Sequence, residues 1–155
     1  MIKPKAVILS SIILDIQKHI LNLQQTLDVD VCSLYEADNA RQLLSLKASS
    51  GLAASSVGDK LRFSQGLTGR VARQRKPLAA KNPHQHADYY YLAGSGEEQF
   101  QSYLGIPLLH GDQLFGVLVI QTKQSKMFFH SEISRLYQVG RELMEDILAD
   151  RTSLD

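Results

Sequence analysis

Apolar residues recur every three or four positions near both ends of the chain, and this spacing predicts two amphipathic helices. In residues 9–27 the apolar stripe consists of Leu9, Ile13, Ile16, Ile20, Leu23 and Leu27. In residues 131–148 it consists of Ile133, Leu136, Gly140, Leu143 and Ile147. Ser131 and Glu132 suit the start of the second helix, because hydroxyl and carboxylate groups are favourable beside free backbone N–H groups.

The residues between the two helices form short apolar segments separated by turn residues, which is the pattern of strands. The predicted strands cover residues 29–37, 43–48, 60–63, 78–81, 101–109 and 113–121. Residues 110–112 give a strong hairpin signal between the last two strands. A glycine-rich turn at Gly66 leads into a short helix that ends near Arg75, and residues 82–99 form a long polar loop. This order predicts an α+β fold, a mostly antiparallel sheet of about six strands with both terminal helices on one face.

Composition narrows the class of protein. The 155 residues are 44% hydrophobic and carry a net charge of +1, so we expect a single domain over residues 1–155 with a core at about 9–148. The charge balance argues against nucleic acid as a partner. No apolar run is long enough to span a membrane. The single cysteine, Cys32, excludes an internal disulfide and fits a cytoplasmic location.

Four segments, in this order along the chain, resemble the GAF domain family. They are residues 31–35 (Val-Cys-Ser-Leu-Tyr), 66–72 (Gly-Leu-Thr-Gly-Arg-Val-Ala), 103–108 (Tyr-Leu-Gly-Ile-Pro-Leu) and 114–118 (Leu-Phe-Gly-Val-Leu). Within the family, the segments are most similar to the sensor domain that precedes the catalytic region of phosphoenolpyruvate–protein phosphotransferases of the nitrogen-related system.

The resemblance implies a GAF/PAS-like sandwich with a ligand pocket on the face of the sheet opposite the terminal helices. It implies a regulatory input domain followed by downstream phosphotransferase domains, with glutamine or alpha-ketoglutarate as candidate effectors. No cofactor, metal or catalytic residue is expected for this chain alone, since no nucleophile–base pair or carboxylate dyad is visible in the sequence.

The candidate pocket residues follow from position. Alternation along the first strand sends Cys32 and Leu34 to the helices and Ser33 and Tyr35 to the other face. A new helix N-terminus after Phe63 can offer N–H groups to a carboxylate, although its glycines also fit a plain tight turn. The full candidate set is Ser33, Tyr35, Phe63, Gly66, Leu67, Gly69, His84, His86, Tyr91 and Tyr103.

Several interpretations stay open at this point. Tyr35 also fits a structural role with a satisfied hydroxyl. His84 and His86 share a face if the loop is extended, so they could line the pocket, lie in solvent or form part of a metal site. Tyr89, Tyr90 and Tyr91 could close an apolar lid or decorate a loop.

Two other functions compete with ligand sensing. One is a dimerisation module, because apolar residues widen both terminal helices beyond their stripes and favour a parallel homodimer. These residues are Val7, Ile8 and Ile12 in the first helix and Tyr137, Met144 and Leu148 in the last. The other is a GAF-type methionine sulfoxide reductase, which needs an attacking thiolate and a resolving cysteine. Cys32 has no second cysteine to resolve it, so we expect it to be a core residue.

Overall fold

The computed structural model describes residues 5–90 and 94–153, with side chains from Ile16 to Thr152 apart from the same gap. The helices are α1 (Lys5–Leu27), α2 (Gly66–Gln74) and α3 (His130–Ser153). The strands are β1 (Val31–Asp38), β2 (Leu43–Ser50), β3 (Lys60–Arg62), β4 (Leu78–Lys81), β5 (Ser102–His110) and β6 (Gln113–Thr122). Three short 3₁₀ turns lie at Ala54–Ser56, Pro83–Gln85 and Glu97–Gln99.

The six strands form one sheet in the order β3-β2-β1-β6-β5-β4. Each neighbouring pair is antiparallel. The β5–β6 hairpin closes where His110 pairs with Gln113, and Gly111 between them has φ 60°, a left-handed conformation that glycine adopts without strain. The predicted α+β class, the six antiparallel strands and this hairpin are confirmed.

The sheet separates two apolar layers, and β1 contributes to both. Cys32 and Leu34 pack with α1 and α3, in a layer that includes Ile16, Ile20, Leu136, Leu143 and Ile147. Tyr35 lies in the other layer, together with Leu67 and Val71 of α2. The predicted partition of β1 between the two faces is therefore confirmed for these three residues.

Some element boundaries differ from the prediction, and polar groups mark two of the helix ends. The first helix starts at Lys5, four residues before the predicted start, and ends at Leu27 as predicted. Asp28, which follows it, has φ 54°, a conformation that Asp tolerates better than most residues. The start of α3 is fixed by Glu132, whose carboxylate accepts the Phe129 N–H at 2.9 Å and pairs with Lys126 at 2.6 Å. The third strand stops at Arg62, one residue before the predicted end at Phe63.

The outer face of α3 exposes less apolar surface than the sequence indicated. Met144 is buried in the core layer beneath the helix, and Tyr137 and Leu148 pack against the same layer while half-buried. Their apolar surface is therefore largely used within the domain. The side chains of Val7, Ile8 and Ile12 lie outside the described residues. Within the part of the chain that the structure describes, none of the helices has the length and apolarity needed to cross a bilayer.

Candidate functional site

A small cavity lies on the sheet face opposite the terminal helices. It offers about 30 Å³ to the centres of water molecules, which is room for roughly two waters. Its lining comes from the sheet, the start of α2 and the segments 83–90 and 97–99. The lining residues are Tyr35, Leu61, Gly66, Leu67, Thr68, Pro83, Tyr89, Tyr90, Glu97, Tyr103, Val119 and Gln121.

Two buried tyrosines on separate strands face this cavity and differ in their hydrogen bonding. The Tyr103 hydroxyl shares a hydrogen bond of 2.8 Å with the Thr68 hydroxyl. The Tyr35 side chain is 3% exposed, and its hydroxyl has no hydrogen-bond partner among the described residues. Burial, reinforced for both by the charge of Glu97, raises the pKa of Tyr35 and of Tyr103, although the Thr68 hydrogen bond opposes this for Tyr103. Both hydroxyls are therefore neutral hydrogen-bonding groups at neutral pH.

The N-terminus of α2 forms one wall. Gln65 occupies the N-cap without a side-chain bond to the helix, and its side-chain oxygen instead accepts the Arg62 N–H. The first intrahelical bond runs from the Gly69 N–H to the Gln65 carbonyl. The N–H groups of Gly66, Leu67 and Thr68 consequently have no acceptor within the helix, and this end of α2 is favourable for a negative group.

Glu97 supplies the carboxylate of the lining, and it was missed in the sequence. It follows Gly96, whose φ of 81° starts the 3₁₀ turn. Burial, with a contribution from neighbouring Glu98, raises its pKa from 4.5 to about 7. Carboxyl groups with strongly perturbed pKa values occur preferentially at functional sites. Nothing in the local sequence marks this residue, because it becomes half-buried only where the loop meets the sheet around the cavity.

Gln121 was also missed, although its position carried a signal. It continues the inward-facing alternation of Val117 and Val119 at the end of β6, and all three are buried. Its amide makes no hydrogen bond to the described residues, so it faces the cavity with free polar atoms. A polar residue at an inward position of an otherwise apolar strand was the available clue.

The structure brings together four of the predicted site residues, Tyr35, Gly66, Leu67 and Tyr103, around this cavity. The other described candidates lie elsewhere. Ser33 is on the same sheet face, but its hydroxyl bonds the Ser49 hydroxyl at 2.8 Å. A Cβ placed at Gly69 would lie 2.7 Å from the Arg62 carbonyl oxygen, so this glycine permits α2 to approach β3 closely.

The remaining candidates lie outside the cavity lining. Phe63 borders two outer grooves next to Ser64. His84 is exposed and stacks edge-on against Tyr89 at 6.4 Å, and the Nδ1 of His86 accepts the Asp88 N–H at 3.0 Å. Tyr91 lies outside the described residues.

Cys32 is on the opposite side of the sheet. It is fully buried among apolar side chains, and burial raises the pKa of its thiol from 9.0 to about 12. The thiolate, which is the nucleophilic form, is therefore scarce at neutral pH.

Comparisons with known proteins agree with this architecture. A family model described as a GAF domain matches residues 13–141. Over 118 residues the chain is 32% identical to the phosphoenolpyruvate-dependent phosphotransferase system protein of Escherichia coli (strain K12). The match covers 76% of this chain but only 16% of that relative, so the chain spans a small part of that relative's length.

Solved structures share the fold over nearly the whole chain. The GAF domain from a phosphoenolpyruvate-protein phosphotransferase of Coxiella burnetii has a TM-score of 0.80 at 28% identity, covering 96% of this chain and 95% of that one. The free methionine-R-sulfoxide reductase of Neisseria meningitidis has a TM-score of 0.77 at 17% identity, covering 96% and 86%. At that lower identity the likeness extends to the fold alone.

Proposed function

Because the chain belongs to the GAF domain family, we propose that it is a regulatory domain that binds a small carboxylated metabolite in the cavity beside α2. The observation that carries this proposal is a pair of polar side chains, Tyr35 and Gln121, that line the cavity without a side-chain hydrogen bond to the described residues. Among those residues every fully buried side-chain N or O atom has a hydrogen-bond partner, so the polar ends of these two side chains open onto the cavity. A polar molecule bound there, next to the free N–H groups of α2, could hydrogen-bond to both.

The relatives suggest in which kind of protein this domain would act. The similarity to phosphotransferase GAF domains supports a role ahead of downstream phosphotransferase domains. There the domain would control phosphoryl transfer from phosphoenolpyruvate into the nitrogen-related phosphotransferase system. Glutamine and alpha-ketoglutarate are the candidate ligands, because each carries a carboxylate that the N-terminus of α2 can accept.

Binding requires the loop over the cavity to move. The present space holds about two water molecules, whereas pockets for small ligands typically enclose several hundred Å³. Tyr89 and Tyr90 line the cavity from the segment that follows Pro83, and Tyr90 is 47% exposed. We propose that these tyrosines act as the lid, and that displacing them opens the site to the ligand.

Binding rather than catalysis is the activity that the thiol environment favours. A sulfoxide reductase needs an accessible thiolate, and Cys32 is buried on the far side of the sheet from the cavity. Its raised pKa leaves little of the nucleophilic thiolate at neutral pH. The same burial leaves Cys32 a packing role.

The test is titration calorimetry of the 155-residue chain with glutamine and with alpha-ketoglutarate, accompanied by thermal melts. A ligand that binds only the folded chain raises its stability by RT ln(1 + [L]/Kd). We expect heat and a higher melting temperature with at least one of the two. If a folded sample responds to neither, the proposal fails and the alternative of a dimerisation module without a ligand is favoured.

A further inference from the structure

Two open grooves adjoin each other beside the C-terminal end of α2, at the opposite end of this helix from the cavity. They offer about 450 Å³ and 370 Å³ to the centres of water molecules, so they are accessible without any movement of the chain. Gln42, Phe63 and Ser64 line both, which makes them one continuous surface. The lining also includes four arginines, and we call this surface the arginine groove. The arginines are Arg41 and Arg62 in one half and Arg73 and Arg75 in the other.

Most of the positive charge in the arginine groove has no carboxylate beside it. The lining contains neither Asp nor Glu. Arg41 pairs with Asp38 at 3.5 Å, but the two side chains are 78% and 44% exposed, so water screens this contact and it contributes little. The Arg62 guanidinium has neither a hydrogen bond nor an ion pair within the part of the chain that the structure describes. The groove is therefore a concentrated positive surface on a chain whose net charge is only +1.

The other two arginines are held in place by neutral acceptors. Arg73 donates a hydrogen bond to the carbonyl oxygen of Phe63, and Arg75 donates one to the carbonyl oxygen of Asp112 at 2.7 Å. Basic side chains near the end of a helix commonly bond its last carbonyls, but these two bond the carbonyls of other segments. The bonds fix the positions of both guanidinium groups and leave their charges available to an anion.

Backbone conformation gives an independent observation. Four non-glycine residues of the described chain have a positive φ. Asp28 and Asn82 are of types that adopt this conformation readily. The other two are Gln42, with φ 52°, and Arg75, with φ 54°, and both line the arginine groove. Because strained positions of this kind occur preferentially at functional sites, they indicate that this surface does more than cover the core.

We infer that the arginine groove is a docking surface for an acidic segment of another protein, in which carboxylates lie on either side of an apolar residue. The planar guanidinium group matches a carboxylate with two parallel hydrogen bonds, and the arginines lie in two pairs. Half-buried Phe63 lies in the part that both halves share, where it can contact an apolar side chain. This inference goes beyond the proposed function and does not depend on it.

The shape of the surface favours an extended peptide over other anions. A single small anion would reach only one pair of arginines, whereas an extended chain can follow both halves. Nucleic acid fits less well, because single strands bind on exposed aromatic side chains against which their bases stack, and Phe63, the aromatic residue of the lining, is half-buried.

Fluorescence anisotropy with the 155-residue chain tests the inference. The probe is a labelled peptide in which two pairs of glutamates flank a leucine, and the same peptide with glutamines is its control. A labelled oligothymidylate and unlabelled inorganic phosphate are the competing anions. The variants are Arg62→Gln and Arg73→Gln, one from each half of the groove, together with Arg62→Glu. Arg135→Gln is the matched control, since Arg135 is exposed on α3 and lines neither half.

We expect the glutamate peptide to bind, the glutamine peptide not to bind, and the affinity to fall as added salt screens the charges. Arg62→Gln and Arg73→Gln should each weaken binding about fivefold, and Arg62→Glu should weaken it further. Arg135→Gln should leave the affinity unchanged. Thermal melts confirm that each variant is folded, and Arg62, whose guanidinium has no partner in the described chain, gives the variant that folding affects least.

Four results would overturn the inference. Equal weakening by Arg135→Gln would show diffuse attraction between charges. Tighter binding of the oligothymidylate than of the peptide would assign the surface to nucleic acid, and displacement of the peptide by an equal concentration of phosphate would assign it to a small anion. Failure of the glutamate peptide to bind the folded wild type would remove the docking surface and leave the ligand proposed for the cavity untouched.

Discussion

Replacing Tyr35 or Tyr103 by phenylalanine removes one hydroxyl from a buried side chain in each case, and the structure predicts different effects on stability. The two residues are on strands of the same sheet, face the same cavity and are almost equally buried, at 3% and 4% exposed. They differ in one respect. The Tyr103 hydroxyl has a partner in Thr68 at 2.8 Å, and the Tyr35 hydroxyl has no partner in the described chain.

The magnitudes follow from the hydrogen-bond inventory. Tyr103→Phe loses one neutral hydrogen bond and leaves the buried Thr68 hydroxyl without its partner, which costs about 1–2 kcal/mol of unfolding free energy. Tyr35→Phe removes a hydroxyl that has no protein partner and opens onto the cavity, where solvation is poorer than in bulk water. We therefore expect a change between zero and a gain of about 1 kcal/mol. The two variants should differ by at least about 1 kcal/mol, or roughly 2–4 °C in melting temperature.

Urea denaturation of the free chain measures this difference, with equal m-values as the check that both variants unfold in the same way. The second half of the prediction concerns ligand binding: Tyr35→Phe should lose part of the stabilisation that a metabolite bound in the cavity gives the wild type. If Tyr35→Phe is destabilised as much as Tyr103→Phe, the Tyr35 hydroxyl has a partner in the folded chain and is not available to a ligand. The reasoning from unpartnered groups would then be refuted.

Three further results are expected. The folded-state pKa of Glu97 is raised to about 7, so its contribution to stability is complete below pH 4.5 and is lost as pH rises through about 7. Glu97→Gln should therefore melt at the same temperature as the wild type at pH 4.5 and at a higher temperature at pH 8. Equal melting temperatures at both pH values would contradict the raised pKa of this carboxyl. Cys32→Ala should cost about 1 kcal/mol through lost packing and retain the ligand response, whereas methionine sulfoxide reduction by the wild type alone would show Cys32 to be catalytic. Sedimentation equilibrium tests the homodimer that the sequence predicts through the terminal helices: about twice the 17.3 kDa chain mass would support it. A monomer at micromolar concentration, which the burial of Met144 within the domain favours, would remove it.

The sequence predicted the layers well because they depend on periodicity. Alternation along β1 was enough to separate Leu34 from Tyr35, since each neighbour in a strand faces the opposite side of the sheet. The heptad-like spacing in the last helix correctly identified Leu136, Leu143 and Ile147 as buried. It overstated the free surface of that helix, because the sheet beneath α3 also accommodates Met144.

The candidate site was predicted only in part, because its remaining members depend on contacts between distant segments. Alternation along β1 places Ser33 on the cavity face of the sheet, but its hydroxyl hydrogen-bonds to the Ser49 hydroxyl on the neighbouring strand. Alternation within one strand cannot predict such a cross-strand pair. Glu97 is in a polar segment whose sequence predicts exposure, and it is half-buried because that segment packs against the sheet. Glycine at position 69 looked like a ligand contact, whereas the close approach of two elements accounts for it.

The single buried thiol, Cys32, can be used to measure how often the domain opens. β1 is paired on both edges, with β2 and β6, and the terminal helices cover the Cys32 side of the sheet, so a thiol reagent can reach the sulfur only when the helices separate from the strands. The rate of modification at that position would depend on the population of the open state, which is set by local stability. A molecule held in the cavity on the other side would slow the modification without touching the sulfur, so ligand occupancy could be followed by mass spectrometry of an unaltered chain.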